Sequence, residues 1–227
     1  MKSIQHPRKI SLFLLALLLM STWIKASNDT TIVLAESIKN KEKALETARE
    51  LLQSDPDKSI DIVEKIVKEV RVKDDPVFVG DAYQVLGEAY TAKIDDKKAL
   101  EFYRRALKIN QENNNIVGTA RSLNSIGLSY YYLNNFEKAT EHFKESLDIA
   151  TANKLKKEKA SALRNLGNIH RKEGDHQKSL ELYSDSYALW EKMNDKSGMA
   201  KTLNSIGLVY YDLGQYDEPV EAYKDAY

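Results

Sequence analysis

The sequence predicts an all-α fold, a solenoid of stacked antiparallel helix pairs, and three observations carry that expectation. The first is a repeat: the stretch from Leu203 through Asn204, Ser205, Ile206 and Gly207 to Leu208, followed by Tyr210, Tyr211 and Leu213, nearly duplicates Leu123 to Leu128 with Tyr130, Tyr131 and Leu133. Related stretches around Leu163 and Tyr83 complete a ladder of glycines, Gly87, Gly127, Gly167 and Gly207, with a constant period of 40. A period in this range means stacked supersecondary units, each burying its apolar face only against its neighbours. The second observation is apolar spacing of three and four residues between the punctuating turns. The third is composition: 30% charged residues, no cysteine and an abundance of Ala, Leu, Lys and Glu suit solvent-exposed helices better than strands.

Residues 1–26 read as a secretory signal peptide rather than as part of the fold. Lys2, Arg8 and Lys9 precede an apolar run from Ile10 to Met20 in which only Ser11 is polar, and Ala26, with Ile24 two places before it, offers a cleavage site. The alternative is an uncleaved anchor, but a helix of this run reaches only about 16 Å against a hydrocarbon core of about 30 Å. A secreted or periplasmic location follows, with no membrane contact beyond this segment. Lys and Arg number 34, as do Asp and Glu; removing Lys2, Arg8, Lys9 and Lys25 leaves 30 basic residues and a net charge of −4. Nothing in that balance recommends nucleic acid or an anionic membrane as partner. Asn28-Asp29-Thr30 is an N-glycosylation sequon, of consequence only in a eukaryote.

Residues 27–75 are expected to hold a diverged capping repeat. Ala44, Leu45, Ala48, Leu51 and Leu52 make one helical face, Ser54-Asp55-Pro56 breaks it, and Ile60, Val63, Ile66, Val67 and Val70 resume it. Thr47 stands where the ladder glycine should be, and the first helix reads best when slipped by one residue. Residues 76–227 then form the array proper, three complete repeats and a truncated fourth. Counting from Gly80, Ala120, Ala160 and Ala200, positions 1, 4, 7, 8 and 11 make the core face of each first helix. Turns follow at Ile94-Asp95, Asn134-Asn135, Gly174-Asp175 and Gly214-Gln215, where Gly and Asn suit a left-handed C-terminal cap. Each second helix presents a small residue (Ala99, Ala139, Ser179, Pro219), an aromatic (Tyr103, Phe143, Tyr183, Tyr223) and another small residue (Ala106, Ser146, Ser186, Ala226). Pro219 falls in a first turn, where its missing N–H costs little.

This spacing resembles the tetratricopeptide repeat: a large apolar residue, Leu-Gly, Tyr, then Ala, an aromatic and Ala at these offsets, in a 40-residue variant covering about residues 36–227. The resemblance implies a right-handed superhelix whose first helices line a concave groove, with positions 2, 5, 6, 9, 12 and 13 facing it. It thereby implies a peptide-binding face made of Arg121, Asn124, Tyr131, Arg164, Asn165, Asn168, Arg171, Lys172, Lys201, Asn204 and Tyr211. Asn124, Asn165 and Asn204 are expected to hold a ligand backbone. Arg164, Asn168, Arg171 and Lys172 share one helix side, and the three charged ones form with Arg121 and Lys201 a stretch of unpaired cations suited to a carboxylate or acidic side chain. Asp81 and Glu88 of the first repeat make the groove bipolar.

No catalytic constellation is legible. There is no Ser-His-Asp order, no HExxH and no phosphate loop or nucleotide fingerprint, so neither an enzyme nor a cofactor is expected. His170 and His176 lack a third ligand for a metal site. The expected function is an exported scaffold that binds a protein or peptide, including an assembly factor for envelope complexes. The alternative is the sensory front part of a larger signalling protein ending in a histidine kinase, a cyclase or a transcriptional regulator. Val220, Tyr223 and Tyr227 on an uncovered last helix add an expectation of self-association.

Overall fold

The computed structural model describes residues 40–214. The chain divides into two compact units, Met1–Glu46 and Thr47–Tyr227. Of the first, residues 40–46 are described, and they are helical. In the second, helical residues 47–50 complete α1 (40–50) and are followed by α2 (Pro56–Glu69), α3 (Pro76–Ala92), α4 (Asp96–Glu112), α5 (Ile116–Tyr132), α6 (Phe136–Ala152), α7 (Lys156–Glu173), α8 (His176–Lys192) and α9 (Lys196–Asp212). No strand occurs among the described residues. From α2 to α9 each helix packs on the next, and α3 touches α5, α5 touches α7 and α7 touches α9, which is the stacking of helix pairs in an α-solenoid. The signal segment, Pro219 and the final Val220, Tyr223 and Tyr227 lie outside the described residues.

The helices begin where the sequence supplies an Asp or Asn able to accept from an orphan backbone N–H. Asp55, Asp75, Asp95, Asn115, Asn135, Asp175 and Asp195 each accept a bond from the amide three residues later. These caps stand on a grid of 20 residues, half the sequence period. One grid point, Leu155 before α7, makes no side-chain cap bond. Helix ends follow the expected left-handed pattern at Ile94, Asn134, Gly174 and Gly214, and a second row, Asn114, Lys154 and Asn194, does the same after the second helix of each pair.

Three rungs of the glycine ladder, Gly87, Gly127 and Gly167, are explained by aromatic rings from the paired helix, while a Cβ at Gly207 would meet nothing within 4 Å among the described residues. A Cβ at Gly127 would sit 2.6 Å from the Phe143 ring, and one at Gly167 would sit 2.6 Å from Tyr183; Gly87 faces Tyr103 in the same way. No other residue lets the two helices close on a ring this tightly, so the helix-propensity cost of glycine is accepted at these sites. Where serine replaces alanine on the second helix, its hydroxyl is used: Ser146 Oγ donates to the Ala120 carbonyl at 2.8 Å, Ser186 to Ala160 at 2.7 Å and Ser179 to Gly167 at 2.9 Å. In the first pair Ser59 donates to Ala48 at 2.8 Å, so Ala48 and not Thr47 takes the glycine's place, in keeping with the one-residue slip. The buried face of the first helices is wider than positions 1, 4, 7, 8 and 11. Ala82, Ala89, Ser122, Ser129, Ala162, Ile169, Thr202 and Val209, at positions 3 and 10, are also buried, because a first helix is covered by its partner, by the preceding pair and by its neighbours in the stack.

Candidate functional site

The polar side of α3, α5, α7 and α9 is the candidate site, and the structure shows its side chains bracing one helix against the next. Gln84 Nε2 donates to Ser125 Oγ at 2.8 Å and to Glu88 at 3.1 Å. One repeat further on, Asn165 Nδ2 donates to Asn124 Oδ1 at 3.0 Å. Arg121 bonds Asp81 at 3.2 Å and reaches Glu158 at 4.0 Å, while Arg171 bonds Asp212 at 2.6 Å. Partners in the four hydrogen bonds between first helices stand 40 or 41 positions apart, so each joins equivalent helices of consecutive repeats.

This corrects two expectations about individual side chains. The cations are not an unpaired set, since Arg121 and Arg171 each hold a carboxylate of the adjacent helix. Asn165 is only 1% exposed and spends its amide N–H on Asn124, which leaves it poorly placed to hold a ligand backbone. Asn168 accepts from the Tyr183 hydroxyl at 2.7 Å. Tyr131 is half-buried, with its ring against Phe136 and Tyr132. Lys172, Lys201, Asn204 and Tyr211 are exposed. The signal for the pairings was in the sequence, as opposite charges one repeat apart at Asp81 and Arg121 and at Arg171 and Asp212, but a reading within single helices does not compare them.

Two partly buried charged groups on this side stay without an oppositely charged partner within ion-pair distance among the described residues, in addition to the exposed Lys172 and Lys201. Arg164 is partly buried on α7; desolvation holds its pKa down, and Tyr132 and Tyr183 are the neighbours that push it up. Glu88 is partly buried on α3; desolvation raises its carboxyl pKa, against the lowering effect of the Gln84 hydrogen bond and of the more distant Arg49 and Arg121. Glu88 lines a pocket of about 260 Å³ together with Arg49, Arg121, Asn124, Lys157, Glu158 and Ser161. A larger hollow of about 660 Å³ lies elsewhere, among Leu147, Thr151, Leu163, Asp185 and Leu189 of α6, α7 and α8; it includes none of the residues expected from the sequence.

Among the described residues no three His, Asp or Glu side chains gather as a metal site, and no helix is long and apolar enough to cross a membrane. His170 Nδ1 sits 3.3 Å from Glu173 and 3.9 Å from Asp175, within its own turn. His142, overlooked in the sequence, stacks on Tyr130 with ring centroids 5.6 Å apart.

Comparison with known proteins agrees with this geometry. Residues 79–152 and 158–227 match the profile of the tetratricopeptide repeat. No curated protein sequence matches. Among solved structures, BtubC (BKLC) from P. vanneervenii is similar with a TM-score of 0.56 and 22% identity, over 86% of this chain and 93% of that one. Aspartyl phosphate phosphatase F from Bacillus subtilis gives 0.63 at 14% identity, over 82% and 58%. The Rap conjugation gene regulator of plasmid pLS20, solved in complex with the Phr* peptide, gives 0.67 at 18%, over 82% of this chain and 51% of the regulator. At such identities the likeness is one of fold.

Proposed function

Because the chain belongs to the tetratricopeptide repeat family, we propose that it is an exported protein-interaction scaffold that binds an extended peptide along the polar side of α3, α5, α7 and α9, with an acidic side chain or terminal carboxylate at Arg164. The observation that carries this reading is the contrast between Arg164 and its neighbours. Arg121 and Arg171 are neutralised by the adjacent helix, whereas Arg164 is desolvated beside Tyr132 and has no acidic partner among the described residues. A cation kept partly out of water without a counter-ion costs free energy, and a ligand carboxylate in bidentate contact recovers it. Tyr131, Tyr132 and Tyr211 supply stiff amphipathic area beside it. The peptide seen with the similar regulator of pLS20 supports a peptide as the class of ligand. Export is supported by the basic start, the apolar run and Ala26, and sequencing the mature N-terminus tests it.

Recovery of the partner by pull-down from envelope extract, followed by calorimetry with Arg164→Ala, tests the site. Binding is expected to weaken by about 2 kcal/mol for a desolvated pair and to fall as salt approaches about 1 M. A partner held equally tightly by a folded Arg164→Ala protein would remove Arg164 from the site.

A further inference from the structure

Glu88 is the counterpart of Arg164. Its carboxylate receives one hydrogen bond, from Gln84 Nε2 at 3.1 Å, and no Lys or Arg stands within ion-pair distance of it among the described residues. The arginines that share its pocket are otherwise engaged: Asp81 takes Arg49 at 3.8 Å and Arg121 at 3.2 Å, and Arg121 also reaches Glu158. Lys157 stands exposed where α7 begins. One carboxylate without a counter-ion therefore opens on a pocket of about 260 Å³, room for the end of one side chain.

We propose that this pocket is a second subsite of the same surface, taking the ammonium or guanidinium group of a Lys or Arg side chain, so that the bound segment carries a basic residue at Glu88 and an acidic one at Arg164. The proposal rests on the peptide reading above and adds to it a charge at the other end and a spacing. Neighbouring first helices in a stack lie about 10 Å apart, so α3 and α7 are separated by about 20 Å across α5. Glu88 stands at position 9 and Arg164 at position 5 of their repeats, which adds about 6 Å along the helix direction. The diagonal of about 21 Å corresponds to about six residues of extended chain. An ammonium suits the first subsite because it brings only donors, and the acceptor it meets already has its one neutral donor in place. Opposite charges at both ends also set which way round the ligand lies, which a single anchor does not.

The test is selection of a randomised peptide library on the full chain and on two variants, Glu88→Gln, which keeps an acceptor for Gln84, and Arg164→Ala. On the unmodified protein, peptides pairing Lys or Arg with Asp or Glu at a separation of five to seven should be enriched at least tenfold over peptides carrying the acid alone. Glu88→Gln should abolish the basic preference and keep the acidic one; Arg164→Ala should do the reverse. Circular dichroism of each variant guards against misfolding. Acidic enrichment without any basic preference, or a basic preference that survives Glu88→Gln, overturns this inference and leaves the carboxylate site standing. Absence of acidic enrichment overturns both.

Discussion

Ile94 shows how the repeat constrains single residues. It occupies a left-handed position with φ of 60°, where the equivalent residues are Asn134 and Gly174, and its side chain is 86% exposed. A β-branched residue is strained there and gains no burial in return. Ile94→Asn should therefore stabilise the protein by about 1 kcal/mol, read from the urea midpoint at unchanged slope. Gly127 is the opposite case, a site where the smallest residue is required. With Phe143 where a Cβ would go, Gly127→Leu is expected to cost about 1–3 kcal/mol by overpacking, and a neutral result in thermal unfolding would contradict the helix contact described here. Both positions were legible as members of a series, a turn residue and a ladder glycine. The states of Arg171 and Asn165 were not, because they depend on a residue 41 positions away and on how closely its helix approaches.

Among the helices, α7 and α8 test the role of the caps. Asp175 opens α8 by accepting from Lys178 at 3.0 Å, whereas α7 starts at Leu155 with no such bond. Asp175→Ala should cost about 1 kcal/mol of stability, seen as a lowered midpoint in chemical unfolding. The reading of the sequence located the turns from Gly, Asn and Pro and so placed the helix pairs. Asp55, Asp95, Asn135 and Asp175 were legible there as turn residues but not as the residues that start the next helix, because a cap depends on the backbone bending at that residue. Its core face was too narrow for a related reason. Periodicity in one helix reveals the side that packs on its own partner, but helices in the middle of a stack are covered from several sides, and small residues such as Ala82, Ser122 and Ala162 carry little periodic signal.

Within the stacked unit as a whole, stability is expected to be local. Each helix touches its sequence neighbours and, for the first helices, the next one in the stack. Damage should then spread about one repeat, as in a one-dimensional chain of coupled units. Hydrogen exchange on Gly127→Leu should accelerate in α5 and α6 and in the helices beside them, with α9 close to its original protection; uniform acceleration would instead indicate one global unfolding unit.

The grid of caps has a consequence for how such a chain can change over generations. Start points at Asp95, Asn115, Asn135, Leu155, Asp175 and Asp195 divide it into segments of equal length, and all but Leu155 close the junction with the same side-chain cap. Unequal crossing-over between near-duplicates such as Leu123–Leu128 and Leu203–Leu208 removes or inserts a whole number of 40-residue units and leaves every surviving junction in phase. Copy number, and with it the length of ligand that can be spanned, is thus open to selection without refolding the rest.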